Sequence, residues 1–206
     1  LGTSIYIWDL VKGEQVASHQ VADSSVRCME VSADGNRFLF ADSAGNVVEW
    51  SLESGERTHL FPTEQSRLRW AFYSPDETRV LTTGSVPPTI KEWDLATGEE
   101  LVSIEGDFAV FNKAIYGPEG KTAFVGGGYD TILAHYDLTT GEKLNEWFTN
   151  YTVYDLCLSP DGERLLAASR SMATEWKIDG YELLQKFKGH HGGAVNGASY
   201  SHEPEQ

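Results

Sequence analysis

Ile7-Trp8-Asp9-Leu10, Glu49-Trp50-Ser51-Leu52, Glu92-Trp93-Asp94-Leu95, His135-Tyr136-Asp137-Leu138 and Glu175-Trp176-Lys177-Ile178 are five copies of one phrase. Their aromatic residues are separated by 42, 43, 43 and 40 residues. An aromatic-acidic dipeptide that closes a hydrophobic run at a period of about 40–45 residues marks a propeller built from four-stranded blades.

A second phrase runs in phase with the first: Ser32-Ala33-Asp34-Gly35, Ser74-Pro75-Asp76-Glu77, Gly117-Pro118-Glu119-Gly120, Ser159-Pro160-Asp161-Gly162 and a decayed Ser201-His202-Glu203-Pro204. Pro presets the dihedral at the second turn position, while Asp and Gly supply local hydrogen bonds and backbone freedom, so each copy reads as a hairpin turn. A third phrase, Glu53-Ser54-Gly55-Glu56, Ala96-Thr97-Gly98-Glu99 and Thr139-Thr140-Gly141-Glu142, is another turn just after the aromatic. With strands named a to d, residues 26–31, 37–41, 46–52 and 57–61 make one unit, and the next units begin near Leu68, Phe111 and Val153. These runs are rich in β-branched and aromatic residues and bounded by Gly, Pro, Asp and Ser, as strands are. No segment reads as a convincing helix, so the fold class is all-β.

Together, the repeat length, the Trp-Asp closings, the turn phrases and the single Gly189-His190 resemble the WD40 family over essentially the whole chain. That resemblance implies a propeller in which a Gly-His before strand a, a turn Asp before strand c and the strand-c Trp form a hydrogen-bond network. Here Gly-His occurs only at Gly189-His190 and the turn Asp only at Asp130, in different units. The expectation is that the network is largely absent and that rigidity rests on sheet packing.

The units are expected at 1–20 (strands c and d only), 25–62, 66–105, 108–149, 151–188 and 194–201 (strand a only), as one propeller domain. No strand b is left to join the two ends, and the first residue is Leu. The phase therefore predicts a segment of a longer protein, with two or three units of a roughly seven-bladed ring outside it; a five-bladed ring with an incomplete closing blade is the alternative.

The 206 residues are 40% hydrophobic and 12% aromatic, enough for a substantial core. No apolar stretch approaches the roughly 18 residues of a membrane span and no secretory leader is visible, so a cytoplasmic protein without membrane attachment is expected. Cys28 and Cys157 fall in strand a of different units and read as free thiols rather than a disulfide or metal pair. The net charge of −15 argues against a nucleic-acid partner, whose phosphates call for clustered Lys and Arg.

Much of that negative charge, including Asp9, Asp34, Glu53, Asp76, Glu77, Glu99, Glu100, Glu119, Glu142 and Asp161, lies in or beside the a–b and c–d turns. One rim should therefore be acidic, as a solvated face in the first instance and as a dock for a basic partner in the second. At the opposite end, Arg27, Arg69, Asn112, Tyr154 and Asn196 occupy one register of successive strands a, with Cys28, Trp70, Lys113, Asp155 and Gly197 one residue further on. If strand a lines a central channel, the first set rings its mouth, and Trp70, Lys113 and Asp155 sit just inside. Arg, Trp and Tyr combine large contact area with directed polar groups, so Arg27, Arg69, Trp70, Asn112, Tyr154 and Asn196 form the candidate partner-binding site.

The repeated aromatics Trp8, Trp50, Trp93, Tyr136 and Trp176 read as core between successive blades, and Trp147 falls outside that pattern. Six scattered His residues, without an HExxH pair or a GxSxG turn, give no catalytic or metal site and no cofactor. His190-His191 invites a metal, but His190 stands where the family has its structural His. Asp137-Leu138-Thr139-Thr140-Gly141-Glu142 also resembles the repeat of quinone-dependent dehydrogenase propellers, without the Trp that family places soon after the Gly. The expected function is a noncatalytic scaffold that binds a protein or peptide, acidic or phosphorylated, at its rim. The alternative is a propeller enzyme or sensor holding a small molecule in the channel.

Overall fold

A computed structural model describes residues 3–21, 24–106, 110–127, 132–188 and 195–201. The strands are β1 (Ser4–Asp9), β2 (Glu14–Gln20), β3 (Val26–Val31), β4 (Arg37–Asp42), β5 (Asn46–Ser51), β6 (Arg57–Pro62), β7 (Trp70–Tyr73), β8 (Arg79–Ser85), β9 (Pro88–Asp94), β10 (Glu100–Glu105), β11 (Phe111–Tyr116), β12 (Thr122–Gly127), β13 (Ile132–Asp137), β14 (Lys143–Phe148), β15 (Val153–Leu158), β16 (Arg164–Ser169), β17 (Met172–Lys177) and β18 (Leu183–Lys188). β1 and β2 pair with each other, and each later group of four makes its own antiparallel sheet in sequence order. The fold is all-β; among the described residues the one helical element is a 3-10 turn at Asp179–Tyr181.

Second and third strands read as continuous apolar runs because both of their faces are covered. Leu39, Phe40, Phe124 and Val125 have no solvent exposure. Core clusters cross sheet boundaries: Leu81 and Ile90 of one sheet pack with Phe111, Val125 and Tyr136 of the next, and Phe124 and Leu133 pack with Leu156 and Leu165 of the one after. First strands also approach one another in succession, β3 to β7, β7 to β11 and β11 to β15. Fourth strands are largely exposed.

The turn phrases have a common mechanism. Ser32 Oγ accepts the Arg37 amide at 2.9 Å and donates to Asp34 Oδ1 at 2.6 Å, and Ser74 and Asp76 repeat this with Arg79. Ser159, Asp161 and Arg164 form the same set. After the third strand, the Asp of the aromatic-acidic phrase closes its own turn: Asp94 Oδ1 accepts the Thr97 amide at 2.8 Å, and Asp137 Oδ1 those of Thr139 and Thr140. A register shift just before the aromatic, at Glu49/Trp50, His135/Tyr136 and Glu175/Trp176, bends each third strand into that turn.

Several expectations change. Trp93 and Tyr136 are core, 5% and 3% exposed, but Trp8 is 54% exposed, since the two-stranded sheet that carries it has no sheet packed over that face among the described residues. Trp147 is half-buried, against Trp176 and Tyr181. The strand expected over 194–201 is not formed by its described residues, 195–201, which are held instead by Val195 N to Ser169 O at 3.2 Å and by side chains. Gly189-His190, His191, Asp130 and the closing part of the last turn phrase lie outside the described residues.

Rigidity does not rest on packing alone. Arg37 and Glu49 of one sheet join Tyr73 of the next: Arg37 Nη1 is 2.9 Å from Glu49 Oε1, and the Tyr73 hydroxyl donates to the same oxygen at 2.9 Å. Arg79, Glu92 and Tyr116 repeat this at the next boundary, and Arg164, Glu175 and Tyr200 at the last. In each case the guanidinium also lies over the tyrosine ring, at 5.6 to 5.8 Å. Where the sheet of β11–β14 meets that of β15–β18, the equivalent positions are Thr122, His135 and Leu158, and His135 stacks on Phe124 with ring centroids 4.1 Å apart. Inside the sheet of β7–β10, Trp93 Nε1 donates to Thr82 Oγ1 at 2.8 Å, and that hydroxyl donates to Gln65 Oε1 at 2.6 Å. A polar network around the strand-three Trp thus exists there with Gln65 in it rather than a His.

Candidate functional site

Successive first strands place two distinct sites at their two ends. At the N-terminal end, Arg27, Ser43, Arg67, Leu68, Arg69 and Trp70 line one depression of 510 Å³. Arg27, Arg67 and Arg69 are all exposed, and among the described residues no carboxylate lines the depression. Arg69 is aimed by Nε donating to Ser85 Oγ at 2.5 Å. Arg67, in the turn before β7, is held at φ +53°, a left-handed conformation that a non-glycine residue rarely adopts. Trp70, half-buried, stacks on Phe72 at 5.7 Å and carries the Lys113 ammonium at 4.9 Å from its ring centroid.

Of the six residues the sequence assigns to the site, Arg27, Arg69 and Trp70 come together here. Asn112 does not join them: its Nδ2 donates to Val153 O at 2.8 Å, clamping β11 to β15. Tyr154, on β15, is half-buried, and Asn196 is exposed on the 195–201 segment; neither lines the depression. Arg67 escaped the sequence reading because it precedes the strand register used to choose the others. The Arg67-x-Arg69 spacing was the available signal.

At the other end a cleft of 580 Å³ opens between β3, β7, β11 and β15, with Glu30, Phe72, Lys113, Ile115, Asp155 and Cys157 on its walls. Lys113 is ion-paired with Asp155, whose other oxygen accepts the Ala198 amide at 3.0 Å. Side chains of one first strand thus cap amides on the edge of the next: Cys28 Sγ accepts the Ala71 amide at 3.2 Å and Glu30 Oε2 the Tyr73 amide at 2.7 Å. Burial pushes the Glu30 carboxyl up to about 7, against the opposing pull of the Tyr73 amide and Lys113. Burial likewise pushes the Cys28 thiol up to about 11, so it stays protonated at neutral pH. Both cysteines are free, Cys28 buried and Cys157 half-buried. Among the described residues no group of three or more His, Cys, Asp or Glu is placed to hold a metal.

The acidic turns are partly committed to structure. Asp34, Asp76, Asp94, Asp137 and Asp161 are all held below the usual carboxylate range by hydrogen bonds inside their own turns, Asp76 at about 2. Glu77 accepts from Ala33 N and Arg37 Nη2, both at 2.5 Å. Glu53, Glu56, Glu99, Glu119 and Glu142 are exposed. No helix among the described residues is long and apolar enough to cross a membrane. In comparison with known proteins, no protein-family model and no curated protein matches this chain.

Proposed function

We propose that the sheets are blades of a WD40-like propeller and that the chain is a noncatalytic interaction module. Its partner is a protein segment bearing carboxylate or phosphate groups, taken up at Arg27, Arg67, Arg69 and Trp70. The observation that carries this reading is the convergence of three guanidinium groups in one depression with no carboxylate on its wall among the described residues, in a chain of net charge −15. Guanidinium matches carboxylate and phosphate through paired hydrogen bonds, and the Trp70 ring adds an apolar contact beside them. The blade reading is supported by the in-phase repeats, the four-stranded sheets paired in sequence order and the succession of neighbouring first strands.

Fluorescence anisotropy with labelled phosphoserine, glutamate-rich and lysine-rich peptides tests it. Binding of the two anionic peptides is expected to weaken with added salt and to be lost in Arg67→Ala with Arg69→Ala, while Glu99→Gln with Glu100→Gln leaves it intact. Preference for the lysine-rich peptide, lost in the Glu99/Glu100 variant, would move the site to the acidic rim and overturn the reading. A second reading, a small-molecule sensor, has the cleft around Glu30 in its favour.

A further inference from the structure

The cleft between the first strands contains a charge that its own surroundings leave uncompensated. Lys113 and Asp155 neutralise each other, and Glu77 is engaged by Arg37. Glu30 differs: its Oε2 accepts one backbone amide, and no ion pair reaches it among the described residues. The groups that face it are the Lys113 ammonium from β11, the Glu77 carboxylate from the turn after β7, the Tyr73 amide, Asp155 and Cys157 from β15, and the Cys28 thiol of its own strand. Apolar side chains, Val31, Phe72, Ile115 and Leu158, supply most of the remaining wall.

A carboxylate in such a setting is stabilised by a cation that enters on an apolar stem, because the stem covers the wall while the charge removes the cost of desolvation. Phe72 already accepts a cation on its ring, with Lys113 Nζ 5.0 Å from the centroid. The volume suits a small organic molecule or one long side chain. We propose that this cleft binds an organic cation, a primary ammonium group on an apolar stem, with Glu30 as its counter-ion. The site is separate from the arginine depression and opposite to it in charge preference.

Isothermal titration calorimetry on the full chain with pentylammonium chloride tests this. Cation binding favours ionised Glu30, so affinity rises with pH through the value of about 7 at which that carboxyl titrates, while the alkylammonium stays charged throughout. The expected gain between about pH 6 and about pH 8 is roughly tenfold, with proton release on binding at the lower pH, read from buffers of different ionisation heat. Glu30→Gln removes both the pH dependence and most of the affinity, and Glu119→Gln and Arg67→Ala with Arg69→Ala leave both unchanged. 1-Pentanol, the same stem without charge, shows no such profile.

A lysine peptide with capped ends that binds more tightly than pentylammonium identifies a partner protein's side chain as the source of the cation. Equal or weaker binding identifies a free amine. The proposal is overturned if pentylammonium does not bind the wild-type chain, if its binding is independent of pH, or if Glu30→Gln binds as well. Should Glu30→Gln fail to fold, the wild-type pH profile and proton count decide alone.

Discussion

The Tyr116 hydroxyl donates to Glu92 Oε1 at 3.0 Å across the boundary between two sheets, and the same oxygen lies 2.7 Å from Arg79 Nη1 on its own sheet. One carboxylate thereby ties a second strand, a third strand and the next sheet's first strand. The motif varies as a unit: where the tyrosine is replaced by Leu158, the glutamate is His135 and the arginine Thr122. A buried carboxylate without its arginine and hydroxyl would be an unpaired charge, which explains why the three positions change together.

Removing Glu92, a carboxylate only 4% exposed, should therefore cost far more than removing a surface glutamate. Glu92→Ala is expected to destabilise by about 2–4 kcal/mol, below the figure for a fully buried pair because Arg79 keeps solvent access, whereas Glu119→Ala stays within about 0.5. Urea unfolding midpoints of the two variants check this, and equal midpoints would contradict the tie.

Half-buried Glu30 and buried His135 pull stability in opposite directions with pH. Glu30 has a folded value of about 7, above its ordinary 4.5, so the ionised form costs stability above about pH 7 and the cost disappears as pH falls toward 4.5. Burial pushes His135 down to about 4 from its ordinary 6.5, so its contribution is present above pH 6.5 and lost as pH falls through 4. Each is worth up to about 3 kcal/mol. Wild-type stability should thus change little between about pH 6.5 and 4.5 from these groups, while Glu30→Gln should be more stable than wild type at about pH 8 and should fall on acidification. Thermal melts across that range decide; an unchanged slope in Glu30→Gln would refute the opposition.

Trp93 and Trp8 occupy the same place in the repeat, yet their substitution should differ. Trp93→Ala removes a buried ring that also donates to Thr82, and about 3–5 kcal/mol is expected. Trp8→Ala, with the ring more than half exposed, should cost less than about 1 kcal/mol.

Asn112→Ala should lower stability by about 1 kcal/mol through loss of its bond to Val153 O, and should leave anionic-peptide binding unchanged. Loss of binding without loss of stability would return Asn112 to the recognition site.

The two thiols should separate in reactivity. A water-soluble disulfide reagent should titrate Cys157 on the folded chain and reach Cys28 only on denaturation, since Cys28 is buried with its thiol pushed up to about 11. Simultaneous reaction of both would contradict the burial.

Much of the strand plan was legible because it is local. The Ser-x-Asp-Gly and Asp-x-x-x-Gly phrases close turns through bonds within a few residues, and both-face burial forces continuous apolar runs such as Phe38-Leu39-Phe40-Ala41, so spacing and composition alone determined where strands begin, turn and end. The site was legible only in part. Strand register found Arg27, Arg69 and Trp70, and it also put forward Asn112, whose side chain is committed to a neighbouring strand. Arg67 beside Arg27, Glu92 against Tyr116, and Glu30 without an ion pair among the described residues are relations between residues 24 or more apart in sequence or set by what a cleft leaves out. Only tertiary structure decides these, because charge compensation and desolvation depend on which side chains meet across sheets, and a repeat that specifies each sheet in the same way carries no information on which of its side chains will be left unpaired.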